Sequence, residues 1–244
     1  MIVDIFIPCY IDQMYPHTGN SMVKVLEKLG CSINYNVEQT CCGQPAFNAG
    51  YNDYCKEVSQ KFITDFSNDR YIVSPSASCV GMIKNHYAEM FHNSVLHNEY
   101  KTIRIKTHEF THFLIHILKA TDTGAILDGK AVYMDSCSAL HECGIRHEPR
   151  TLLEKVRGLQ VVEAEDREAC CGFGGMFSVK NSDLSVAMAE KKIGHILKTG
   201  AEYIISTDMT CLMHLDAYIK QQNIGLKVMH IADVLASGWN EYPS

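Results

Sequence analysis

Tyr71-Ile-Val-Ser-Pro-Ser-Ala-Ser-Cys79 and Tyr203-Ile-Ile-Ser-Thr-Asp-Met-Thr-Cys211 decide the fold. Each opens on a short apolar run that reads as a buried strand, and each ends on a cysteine where helical periodicity begins. The flanking sequence repeats in the same order. Residues 2–7 read as a strand running into Pro8-Cys9, and residues 131–134 as one running into Asp135-Ser136-Cys137. Between these anchors fall Thr40-Cys41-Cys42-Gly43 and Ala169-Cys170-Cys171-Gly172. Intervals of 31 and 32 residues precede the cysteine pairs and intervals of 36 and 39 follow them, so the two halves keep one register. Helical periodicity over 18–29, 51–66, 80–90, 184–197 and 212–221 fills the gaps. Alternation at this spacing predicts an α/β fold of two pseudo-repeated Rossmann-like halves, mainly parallel sheets with flanking helices. The polar, glycine-containing stretch 120–130 is the natural boundary, giving halves 1–125 and 126–244. Ligand sites of open α/β sheets lie beyond the carboxyl ends of strands, and every repeated cysteine falls at such an end.

The 244 residues are 46% hydrophobic and 20% charged, which excludes a disordered chain. Net charge is −6, and no Lys/Arg block is present to follow a nucleic-acid backbone, so no nucleic-acid partner is predicted. No run of about 18 apolar residues suits a membrane-spanning helix, and any membrane attachment would come through a partner. Residues 1–8 enter a strand without a basic leader and apolar segment, which predicts a cytoplasmic chain. Eleven cysteines are many for that compartment, where clustered thiols hold metal more often than they form disulfides.

Each half supplies four: Cys9, Cys41, Cys42 and Cys79, then Cys137, Cys170, Cys171 and Cys211. Four thiolates converging on one place suit an iron–sulfur cluster, because sulfur donors match iron. Neighbouring cysteines in an extended chain diverge, so both can face one group only if the backbone turns sharply. Gly43 and Gly172 permit that turn. Gly174 and Gly175 extend it and let backbone N–H groups approach an anionic ligand. Three other readings stay open. The thiols could be apolar core residues, zinc ligands, or a vicinal thiol–disulfide centre at Cys41-Cys42 or Cys170-Cys171.

Cys31 and Cys55 read as helix packing residues, and Cys143 as a reserve ligand six positions after Cys137. His108-Glu109-Phe110-Thr111-His112 matches the HExxH zinc pattern, with His116 one turn further. The segment 110–114 also aligns with 231–235, so it reads as an amphipathic helix carrying its histidines on a solvated face by chance. His17, His86 and His147 read as ambiguous, while His141 and His214 lie closest to repeat cysteines and are candidates to tune a cluster from behind its ligands. Arg146, His147 and Lys180 are candidate partners for a substrate carboxylate, read as solvated surface residues in the first instance. Gly172-Phe-Gly-Gly175 is not a GxGxxG loop, and no nucleotide cofactor is predicted.

At these cysteines the chain resembles the CCG-domain, or cysteine-rich domain, family, which includes the cysteine-rich component of heterodisulfide reductase and the corresponding parts of glycolate oxidase and succinate dehydrogenase relatives. The likeness rests on Pro8-Cys9, Cys41-Cys42-Gly43-Gln44-Pro45, Pro75-Ser76-Ala77-Ser78-Cys79, Cys170-Cys171-Gly172-Phe173-Gly174-Gly175 and Ser206-Thr207-Asp208-Met209-Thr210-Cys211, and it covers nearly the whole chain. Its wording is nearest to the lactate-utilization branch. The resemblance implies two CCG halves in an iron–sulfur electron-transfer subunit that works in oxidation of L-lactate to pyruvate. It implies two partner subunits, one ferredoxin-like with iron–sulfur clusters of its own. In heterodisulfide reductase the motif ends in CxxC and gives five cysteines. Here Ser76 and Asp208 stand in the missing position or, with Cys79 counted first, Met82 does. Four ligands per half favour one or two ordinary clusters, [4Fe-4S] in the first instance or three-iron, with zinc in one half as the alternative. Catalytic residues stay unassigned.

Overall fold

The computed structural model describes residues 1–239; the last five residues of the second half lie outside the described part. The chain forms two four-stranded sheets of identical topology. β1 (Ile2–Ile5), β2 (Ser32–Tyr35), β3 (Tyr71–Ser74) and β4 (Thr107–Glu109) lie in the order β2-β1-β3-β4. β5 (Ile126–Tyr133), β6 (Arg157–Val162), β7 (Tyr203–Ser206) and β8 (Lys227–His230) lie in the order β6-β5-β7-β8. All pairings are parallel: Val3 sits beside Ile33 and Tyr71, and Ala131 beside Val161 and Tyr203. Parallel strands need crossovers, and helices supply them in both halves. The central strands are buried β-branched runs, as a sheet covered on both faces demands.

Several boundaries differ from the sequence reading. β1 ends at Ile5 rather than residue 7, because the chain must turn ahead of Pro8, whose ring fixes φ at −63°. β5 starts at Ile126, five residues earlier than read, so residues 126–130 of the supposed connector are strand. Their polar side chains mislead because this end of β5 is only half-buried. Four strands escaped detection. β2 is mostly exposed, β6 carries Arg157 and Gly158, β4 is Thr-His-Glu, and β8 begins on an exposed lysine.

Three large packed regions, with a small fourth one of Ala77, Ala139 and Ile145, hold the described residues together. One joins the sheets, with Val3, Ile5, Phe110 and Phe113 against Tyr133, Ile205, Ile231 and Val234. The second lies within the first half and is aromatic: Phe6, Phe62, Phe66, Tyr87, Phe91 and Tyr100. Phe6 and Phe62 meet edge-to-face at 4.9 Å, a favoured geometry that adds to their area burial. The third lies within the second half and is aliphatic, with Ile193, Ile196, Ile204, Leu212, Leu215 and Ile219. Helix Pro16–Lys28 packs on helix Ile231–Leu235, and Thr18 Oγ1 donates to Asp233 Oδ2 at 2.8 Å. This contact brings the carboxyl ends of both sheets toward each other.

Candidate functional site

In a sheet of order 2-1-3-4 the crossovers diverge between strands 1 and 3, and a crevice opens beyond their carboxyl ends. Cys9 opens the helix Cys9–Met14 just after β1, and Cys79 lies in the helix Ala77–Gly81 just after β3. Cys137 and Cys211 occupy the matching places after β5 and β7. Ser76 accepts a hydrogen bond from Cys79 N at 3.4 Å, and Asp208 accepts from Thr210 N at 3.2 Å. The residues that stand where CxxC would place a fifth cysteine are thus helix caps. The vicinal pairs close each set through Gly43, at φ +86°, and Gly172, at φ +95°. Such angles strain any residue with a Cβ. At Gly172 that carbon would also fall 2.6 Å from Ser185 O.

The four sulfurs of each half touch in a chain. Cys9 Sγ donates to Cys41 Sγ at 3.8 Å, and Cys42 Sγ to Cys79 Sγ at 3.2 Å. Cys41 accepts from Cys42 and from Cys9, and its thiol is held down to about 3, while its two donors are pushed up by the same contacts. The second half repeats this. Cys170 accepts from Cys137 and Cys171 and is held down to about 2, whereas Cys137 and Cys171 rise. Gly43 N and Gly172 N each add a 3.4 Å hydrogen bond to the sulfur two residues back. Each half therefore carries one sulfur poised as thiolate, the form that ligates metal.

All eight cysteines line a single cleft of about 290 Å³ between the halves. The rest of the lining includes the hydroxyls of Ser76, Ser78, Ser136, Ser138 and Thr210, the amides of Gln44 and Asn48, and Tyr10, Ile11, Phe173 and Met209. Among the described residues no lysine, arginine or histidine lines it. Its one carboxylate is Asp208, 2% exposed, whose Oδ2 accepts from Ser78 N of the other half at 3.0 Å.

The chain matches the cysteine-rich, or CCG, domain over residues 3–84 and again over 131–216, the two stretches that contain the quartets. The chain belongs to the CCG family. Lactate utilization protein A of Geobacillus kaustophilus is 42% identical over 236 residues, covering 96% of this chain and 98% of the relative. The protein of that name from Lysinibacillus sphaericus is 44% identical over 226 residues, covering 92% and 99%. Among solved structures, a hypothetical protein from Helicobacter pylori superposes with a TM-score of 0.65 at 12% identity. It covers 99% of this chain, which spans about half of that longer one. That likeness is one of fold.

The CCG motifs account for the eight cleft cysteines and leave the other candidates elsewhere. Cys31 and Cys55 are buried in packing, as read. Cys143 points away from the cleft, its Sγ donating to Ala77 O at 3.4 Å. His141 and His147 are exposed, Lys180 is exposed, and Arg146 pairs with Glu168 at 2.6 Å. His17 is largely exposed, and His86 lies against Phe47 at 4.7 Å. His214 does back a quartet: its Nε2 lies 3.2 Å from Ser185 Oγ, which donates to Gly172 O at 2.8 Å.

The HExxH segment is not a solvated helical face. His108 and Glu109 end strand β4 and are 7% and 1% exposed, and the helix begins only at Phe110. Glu109 caps it, accepting from Thr111 N at 2.8 Å and His112 N at 3.1 Å. Two neighbours of the quartets went unread. Asp208 was noted only as a missing cysteine, and Lys192, 3% exposed, was hidden in a helix read as amphipathic. A charge among Ala189, Ile193 and Ile196 on the buried face was the available signal.

Proposed function

We propose that the chain is an iron–sulfur electron-transfer subunit of a cytoplasmic system that oxidises L-lactate. The observation that carries this is the pair of thiol quartets at two equivalent crevices, facing one cleft. The donor set fits iron–sulfur groups, because the thiols of each quartet partner one another and supply only sulfur, the ligand such clusters take. When bound, a cluster supplies one-electron storage. The residues of the chain do the rest: Cys9, Cys41, Cys42 and Cys79 hold one group and Cys137, Cys170, Cys171 and Cys211 the other. Gly43 N and Gly172 N donate to ligand sulfur, and Ile11, Phe173 and Met209 shield the cleft from water.

Lactate enters from the relatives, which bear the name lactate utilization protein A at 39–44% identity over nearly their full length. A lactate carboxylate calls for a charge-assisted partner, and the cleft offers no cation. We therefore place substrate binding on a partner subunit, and electron relay on this chain. A ferredoxin-like iron–sulfur subunit and a third subunit complete the system. No helix among the described residues is long and apolar enough to cross a membrane.

A second reading, thiol–disulfide exchange, draws on the low-lying thiols of Cys41 and Cys170. Serine variants decide between the two. Cys41→Ser or Cys171→Ser should each remove the iron of its own half, roughly half the total, while Cys55→Ser leaves iron unchanged. Equal loss from all three would end the ligand assignment, and thiol-dependent turnover in iron-free protein would favour exchange.

A further inference from the structure

Two sites built on one repeat can still differ in what surrounds them. We propose that Lys192 makes the second quartet the more readily reduced site, so that an electron at the first runs on to the second. The inference rests on the cluster-bearing reading above.

Lys192 stands twenty-one residues after Cys171, and the residue twenty-one after Cys42 is Ile63. The two occupy equivalent places in the helix behind each quartet. Ile63 is 1% exposed and packs with Phe6, Phe62 and Phe66. Lys192 is 3% exposed, and its Nζ donates to Arg167 O at 2.7 Å, Ala169 O at 2.9 Å and Asp166 O at 3.2 Å. Those three carbonyls match the three protons of an ammonium, so the cation keeps its charge although buried. They belong to the loop that ends in Cys170-Cys171, and Ala169 adjoins Cys170. Burial pulls the Lys192 ammonium below its usual value, and Cys171, Asp135, Cys137 and Cys211, which face it, act in the opposite sense.

Other charged groups stand near the second quartet. Asp135 faces Lys192, yet Arg150 already grips it at 2.9 and 2.7 Å, and Glu163 shares that guanidinium from a half-exposed position. Asp208 serves both quartets, capping the helix of Cys211 while binding the amide next to Cys79. Glu142 touches Ser138 at 3.3 Å and is half-buried. The second quartet thus has a buried ammonium against its cysteine loop where the first has Ile63. It is also the wetter site, since Cys137 is exposed and Cys9 is not. Reduction adds negative charge, and a fixed cation in a low-dielectric interior favours it, as does solvent exposure. One electron leaves the group at the first quartet and enters the group at the second; no bond or proton moves.

The test is an EPR-monitored redox titration of anaerobically purified full-length protein, reduced stepwise with dithionite. Cys170→Ser isolates the first site and Cys41→Ser the second. The second is expected to titrate at the higher potential. Adding Lys192→Met to Cys41→Ser should lower its reduction equilibrium by at least about tenfold, or about 59 mV for one electron. Lys192→Arg should restore it, and Lys192→Met added to Cys170→Ser should leave the first site in place. Restoration by arginine separates charge from packing. Equal potentials, an inverted order, or a shift in both sites on Lys192→Met would overturn the inference and spare the cluster reading. No signal from either site would overturn both.

Discussion

Glu109 and His108 adjoin at the end of β4 and titrate in opposite senses. Burial raises the Glu109 carboxyl from 4.5 to about 7, so between those values the folded chain holds a proton that the unfolded chain has released. Its contribution to stability therefore falls as pH rises through that window. Burial lowers His108 from 6.5 to about 4, with Lys84, His112 and His116 adding like charge. There the unfolded chain holds the extra proton, and stability rises with pH from 4 to 6.5. The slopes oppose each other. Glu109→Gln, which keeps an acceptor for Thr111 N and His112 N, should remove the falling one. Relative to wild type the variant should gain about 3 kcal/mol between pH 4.5 and 7, read by denaturant unfolding across that range. Parallel curves would refute the assignment. At this scale the sequence revealed the eight cysteines because they repeat, and a residue that occurs twice at one register stands out. Lys192 escaped, and Glu109 was read onto a solvated face, because each is unique to one half, as Ile63 and His230 hold the matching places. Their surroundings come from strands and carbonyls distant in sequence.

At the level of elements, the turns after the vicinal cysteines carry the site, and the glycine in each is set by backbone geometry. Gly172→Ala places a Cβ at φ +95° and 2.6 Å from Ser185 O, and should destabilise the protein by about 2 kcal/mol or more. Gly194, inside the helix Ser182–Leu197, is a matched control: a Cβ there meets nothing within 4 Å. Gly194→Ala should raise stability by up to about 1 kcal/mol. Thermal unfolding of the two variants should move in opposite directions, and a neutral Gly172→Ala would show that the turn is not constrained. The strands that hold Cys9, Cys79, Cys137 and Cys211 were legible because β1, β3, β5 and β7 are central and apolar. The outer strands were not, since β4 is Thr-His-Glu and β2 is exposed, and both owe their form to pairing with a neighbour rather than to their own pattern.

For the molecule as a whole, the halves share one core, and the contact of helix Pro16–Lys28 with Ile231–Leu235 sets two crevices across a common cleft. The sequence repeat predicted two quartets; that they face each other follows from packing between elements about 215 residues apart, such as Thr18 with Asp233. The proposed two-site relay rests on this shared cleft. Anaerobic purification followed by iron, sulfide and zinc analysis, with EPR before and after dithionite, tests the account most directly. It predicts iron with matching sulfide and a redox-dependent signal. Stoichiometric zinc, or no metal under strict anaerobiosis, would contradict it.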